Sequence, residues 1–293
     1  MAKNPLFTGT GVALITPFRK QETIDFSKLE ELINNIIDSK VDYIVALGTT
    51  SEAATMTDSE RNALQQFIVE TVNGRIPIML GVGGNNTRAV TDAISQTNFD
   101  GISGILSVTP YYNKPQQRGL VQHFKNIADA SPVPVVLYNV PGRTSCNITA
   151  ETTIQLAHEC PNIIGIKEAS GNLSQVMEIV RNKPAGFLVI SGDDALTLPM
   201  IALGASGVIS VIANAYPKEM SDMVRLALKG DMKKAQPIHY SLLPLMNAIF
   251  EEGNPSGIKA LLEILGRINN QLRLPLCKVS KPLYNKIASL QLP

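Results

Sequence analysis

The stretch PVVLYNVPGRTSCNITAETTIQLAHECPNIIGIKEA, residues 134–169, holds one copy of the pattern that decides the fold. It begins with a short, β-branched, nearly continuous apolar run, PVVLYNV (134–140), and ends with another, IIGIKEA (163–169). Between them, residues 149–159 have helical spacing. Buried parallel strands read as continuous apolar runs, and their crossover helices carry the 3.6-residue period.

The same alternation continues on either side, over the first 215 residues. The other strand-like runs are GVALITPF (11–18), YIVALG (43–48), PIMLGVG (77–83), GILSVTP (104–110), FLVISGD (187–193) and GVISVIA (207–213), which brings the total to eight. Further candidate helices lie at 27–39, 57–72 and 87–98. Thr57-Asp58-Ser59-Glu60 reads as a capping box at a helix start. Eight β/α units in roughly 230 residues fit a (β/α)8 TIM barrel in count and length. The competing architecture, an open doubly wound sheet, favours a glycine-rich phosphate loop after its first strand. Here that strand is followed by TPFRKQETID, which has no glycine. Beyond residue 230 no strand-like run remains, while 232–251, 256–270 and 279–290 have helical spacing. The expected organisation is therefore a barrel over 1–229 and a C-terminal helical appendage over 230–293. No low-complexity linker separates the two, so the appendage is expected to pack on the barrel.

Composition narrows the function classes. Hydrophobic residues make up 44% and charged residues 17%, the profile of a folded globular chain. The formal net charge of +1 offers no attraction to nucleic acid or to an anionic membrane. No apolar stretch approaches the length of a membrane span, and the N-terminal run is interrupted by Thr16 and Pro17 with no signal-peptide cleavage pattern. A cytoplasmic protein is the default expectation. Cys146, Cys160 and Cys277 are odd in number and widely spaced, as are His123, His158 and His239. Neither a disulfide framework nor a metal motif is expected.

Barrel active sites lie where the strands end. There the chain reads GTTSEA (48–53), GVGGNNT (81–87), TPYYNKP (109–115), YNVPGRT (138–144), GIKEASG (165–171), SGDD (191–194) and SVIAN (210–214). Lys167 follows Ile163-Ile164-Gly165-Ile166 directly. Apolar walls disfavour the ammonium, and the neutral amine is the form that attacks carbonyls. The plainer role for this lysine is an ion pair with a carboxylate such as Glu168. Tyr138 ends the neighbouring strand and could shuttle protons, although an aromatic core plug is the commoner fate of such a residue. Thr49 and Thr50 could orient a tyrosine or bind a carboxylate, where the plainer role is capping the next helix. Arg143 could grip a carboxylate bidentately, where a solvated loop charge is the commoner case. GVGGNNT is read as a turn into a helix, and Asp193-Asp194 as capping residues of the next one rather than a metal pair.

Taken together and in order, GTTSEA, TPYYNKP, YNVPGRT, GIKEASG and SGDD resemble the dihydrodipicolinate synthase family, part of the N-acetylneuraminate lyase superfamily of class I aldolases. The resemblance runs over essentially the whole chain. It implies an enzyme that condenses pyruvate with L-aspartate 4-semialdehyde in the diaminopimelate route to lysine, without a cofactor. It further implies Lys167 as the Schiff-base lysine. Tyr138 becomes the proton-relay tyrosine, working with Thr50 and with Tyr112, which is donated across a dimer interface. Thr49 and Thr50 bind the pyruvate carboxylate, Arg143 binds that of the semialdehyde, and Gly192 and the carbonyl of Ile209 line the site. The implied assembly is a homotetramer, a dimer of dimers. Related sugar-acid lyases usually lack an arginine where Arg143 stands. Ser51 takes a place commonly held by glycine. Arg61 and Ala89 occupy the positions of the histidine and acid that bind inhibitory lysine in regulated members, although Asn85 and Tyr111 match. Weak or absent lysine inhibition is expected. An aldolase for longer 2-keto sugar acids and a non-catalytic binding protein on the same scaffold remain as alternatives.

Overall fold

All eight apolar runs form parallel strands in the computed structural model, which describes residues 6–290 and Leu292. They are β1 (Gly9–Ala13), β2 (Tyr43–Ala46), β3 (Ile78–Gly81), β4 (Gly104–Val108), β5 (Val135–Asn139), β6 (Ile163–Glu168), β7 (Leu188–Ser191) and β8 (Gly207–Ser210). They pair in chain order and close as a barrel, β8 against β1. With both faces covered, almost every strand residue is buried, which is why the runs are continuously apolar.

The run at 11–18 is displaced from its strand: β1 begins at Gly9 and ends at Ala13. Two glycines explain why hydrophobicity misses this edge. A Cβ on Gly11 would lie 2.2 Å from the Tyr43 ring, and one on Gly207 would lie 1.9 Å from the Gly9 carbonyl oxygen. Backbone and ring approach too closely there for any side chain. Residues 14–18 leave the ladder, and Phe18 makes an antiparallel bridge to Ile24.

Helices alternate with the strands as expected. The helix Asp58–Val72 starts on a complete capping box, the Thr57 side chain accepting from the Glu60 N–H while Glu60 accepts from the Thr57 N–H. The turn after β3 enters the helix Thr87–Gln96 through Asn86, whose side chain caps it. After the barrel come the helices Met232–Ala248, Ser256–Ile264 and Lys281–Ser289. Among the described residues no helix is long and apolar enough to cross a membrane.

One irregularity matters for the site. β5 and β6 slip by one residue between Val135, paired with Ile163, and Val136, paired with Gly165. Above the slip Tyr138 stands level with Lys167, and Asn139 with Glu168.

Candidate active site

Because side chains alternate along a strand, Tyr138 and Lys167 share one face and Asn139 and Glu168 the other. Lys167 is 6% exposed, and its Nζ stands 4.2 Å from the centre of the Tyr138 ring. Glu168 points away. Its carboxylate accepts from Asn139 Nδ2 at 3.1 Å, from Gln175 Nε2 at 2.9 Å and from the Ser170 N–H at 2.8 Å. The ion-pair reading of Lys167 therefore lacks its partner: among the described residues the amine makes no ion pair.

Two cavities meet at this lysine, and both are lined by Thr49, Thr50, Tyr138 and Lys167. The larger, about 560 Å³, continues past Arg143, Gly192, Asp193 and Val211 to Met246, Asn247, Phe250, Glu251 and Asn254. Its size suits a small metabolite. Gly192 is needed bare: a Cβ there would lie 2.6 Å from Ala169 Cβ and 3.0 Å from Lys167 Cε. Thr49 and Thr50 sit in the 3-10 turn Thr49–Ser51, where the Ser51 hydroxyl donates to the Gly48 carbonyl at 2.7 Å. Serine is thus accommodated by a local bond. Thr50 Oγ1 accepts from Asn254 Nδ2 at 3.0 Å, and Arg143 donates to the Asn254 carbonyl at 3.1 Å.

Not every expected residue gathers here. Tyr112 is 89% exposed in the loop after β4 and makes no contact with Lys167 within the chain. Ile209 lies in the core of β8, and it is Val211, two residues on, that lines the cavity. No hydrogen bond joins Tyr138 to Thr50 among the described residues. The acid pair also departs from a simple capping role. Asp193 accepts from the N–H groups of Ala195 and Leu196, ahead of the helix Thr197–Ala202. Asp194, fully buried, instead crosses to the end of β8, where Val211 and Ile212 donate to it at 3.0 and 2.8 Å. Burial pushes its carboxyl up to about 6, against the pull of these donors.

The smaller cavity, about 240 Å³, reaches Arg61 and Tyr111. Arg61 Nε donates to the Ala53 carbonyl at 3.1 Å, and Asn85 Nδ2 donates to that of Tyr111 at 3.1 Å.

The wall supplied by residues 246–254 was not foreseen. These residues close a helical segment and have no motif of their own, and only the turn-like Asn254-Pro255 marks a break there. Nor was the buried ion pair of Lys259 with Glu52, immediately behind the Thr49–Ser51 turn.

Comparison with known proteins accords with this geometry. The model of the dihydrodipicolinate synthetase family matches residues 6–291. The 4-hydroxy-tetrahydrodipicolinate synthase of Parabacteroides distasonis is 53% identical over 279 residues, covering 95% of this chain and 94% of its own. That of Flavobacterium psychrophilum is 51% identical, covering 96% of each chain. Among solved structures, the dihydrodipicolinate synthase of Thermotoga maritima superposes with a TM-score of 0.95 at 38% identity, covering 97% of both chains. That of Aquifex aeolicus gives 0.93 at 42% identity, again over 97% of both. The chain belongs to the dihydrodipicolinate synthetase family.

Proposed function

We propose that this enzyme condenses pyruvate with L-aspartate 4-semialdehyde, as a 4-hydroxy-tetrahydrodipicolinate synthase, through a Schiff base on Lys167. The observation that carries the reading is a buried lysine at the meeting of two cavities, beside a tyrosine and, among the described residues, with no carboxylate partner. The neutral amine attacks the C2 keto group of pyruvate to give a carbinolamine. Tyr138 delivers the proton with which the hydroxyl departs as water. The resulting iminium draws electrons from C3, so loss of a C3 proton gives the enamine without a cofactor. The enamine carbon attacks the aldehyde, and the substrate's own amine displaces Lys167 as the ring closes.

Thr49 and Thr50 are the binding groups for the pyruvate carboxylate, and Arg143 for that of the semialdehyde. Gly192 leaves room for the lysine chain, and Val211 walls the cavity at the end of β8. In this division the barrel, 1–229, carries the nucleophile, and the appendage, 230–293, closes the far wall. Tyr112 completes the relay from a second copy of the chain, which its exposure supports, within a tetramer built as a dimer of dimers. The reaction runs in the cytoplasm. Lysine inhibits weakly or not at all, since Arg61 repels a cationic ligand and Ala89 offers it no carboxylate. A submillimolar inhibition constant contradicts that last point.

The test is reduction with borohydride in the presence of pyruvate, followed by peptide mass spectrometry. Mass added on Lys167 is the expected result. A folded protein without an adduct overturns the mechanism. With the semialdehyde as varied substrate, Arg143→Ala is expected to raise its KM by about ten- to a hundredfold, the loss of a charge-assisted contact.

A further inference from the structure

We propose that the buried pair Glu52–Lys259 is a positioning device, which holds the Thr49–Ser51 turn in place relative to the Lys167 amine. The proposal rests on the Schiff-base reading above.

Glu52 directly follows the turn that carries both threonines and joins it to a second 3-10 turn, Ala53–Thr55. Its backbone is left-handed, φ +60, a conformation that a glutamate keeps only when its surroundings enforce it. The enforcement comes from the appendage. Lys259, 0% exposed on the helix Ser256–Ile264, pairs with Glu52 Oε1. The Arg273 N–H donates to Glu52 Oε2 at 3.0 Å. Lys259 is itself fixed, donating to the Gln271 carbonyl at 2.9 Å and standing 4.2 Å from the Phe18 ring centre. The Arg273 guanidinium then grips Glu60 and the Glu22 carbonyl, so that the segment is held at its far end too. Both charges of the central pair are desolvated and hydrogen-bonded, an arrangement that adds directional constraint more than stability.

The consequence is specific. The held element is the one bearing Thr49 and Thr50, whereas Arg143 sits on the helix Pro141–Thr144 after β5. A loosened pair should therefore disturb pyruvate more than the aldehyde.

The experiment compares Glu52→Gln, Lys259→Met and the double variant, with every rate expressed per folded molecule well below the thermal midpoint. Glu52→Gln keeps shape and an acceptor for Arg273. The double variant leaves no unpaired charge, so it folds even if Lys259→Met alone does not. Two readouts are taken: borohydride trapping of pyruvate against pyruvate concentration, and KM for each substrate in turnover. Expected for Glu52→Gln and the double variant is a roughly tenfold rise in half-saturating pyruvate, with the aldehyde KM within twofold of native. Equal shifts for both substrates, or a lowered thermal midpoint with all kinetic values within twofold, overturn the proposal alone. A native protein that traps no pyruvate overturns the Schiff-base reading and this proposal with it.

Discussion

Among the described residues two lysines are buried, and the chain treats them in opposite ways. Lys259 sits where the appendage meets the barrel, bonded to Glu52 and to the Gln271 carbonyl and stacked on Phe18. Burial holds it below the ordinary lysine range, to about 8, with Glu52 pulling the other way. Lys167 sits where two cavities meet, has a ring beside it, and has its nearest sequence carboxylate turned outward onto Asn139 and Gln175. The same side chain is thus a fastener in one place and a candidate nucleophile in the other. The difference lies in whether a carboxylate has been brought to it. A lysine fastened to a carboxylate is held away from any substrate, and one without such a partner at the edge of a cavity stands where a carbonyl can reach it.

Removing each amine should separate the two roles. Lys167→Ala should lower kcat by about four orders of magnitude or more, as loss of a covalent nucleophile does, with little change in the urea midpoint. Lys259→Met should leave kcat close to native, raise half-saturating pyruvate, and cost stability instead. It strands the Glu52 carboxylate, and chemical denaturation should show a loss of about 3–5 kcal/mol. If the two variants exchange phenotypes, the contrast is wrong.

A smaller effect probes the space around the free amine. Gly192→Ala puts a methyl within reach of Lys167 Cε, and the chain must shift to admit it. Steady-state kinetics should show a fall in kcat on the order of a hundredfold, the cost of displacing a reacting group by about an ångström. Native turnover in this variant means that the lysine reaches its substrate by another path.

The smallest effect concerns the acid behind the site. Asp194 titrates near 6 in the folded chain against 3.8 as its ordinary value. A raised carboxyl favours the folded state while it holds its proton. That stability is complete below about 4 and is lost as pH rises through 6. Glu60, held down to about 2 by Arg273, contributes in the opposite sense but identically in both proteins compared. Between pH 4.5 and 7.5 the native urea midpoint should therefore fall relative to that of Asp194→Asn. Parallel curves exclude the assignment.

The barrel was legible because buried parallel strands carry their signature in contiguous residues. Lys167, Tyr138, Thr49, Thr50 and Arg143 were legible because strand ends interrupt that signature with chemistry, and Gly192 only through the family resemblance. What escaped has no such local mark. β1 starts two residues before its apolar run because Gly9 answers to the Asp42 carboxylate and Gly11 to the Tyr43 ring. Asn254 reaches Thr50 across 204 residues, and Arg273 reaches Glu52 across 221. The destination of Asp194 depends on where the end of β8 lies in space, which its neighbours in sequence do not tell. Tyr112 is exposed in the loop after β4 and lines neither cavity.

The slip between β5 and β6 works like a vernier, two scales brought into coincidence at one chosen mark. Below it Val135 is level with Ile163, and above it phenol and amine are level. A ladder of even pitch would bring Tyr138 level with Ile166 and leave the pair one graduation apart, about 3.3 Å along the strand. That is a whole hydrogen-bond length, and because faces alternate residue by residue it would also turn the amine to the opposite side of the sheet from the phenol.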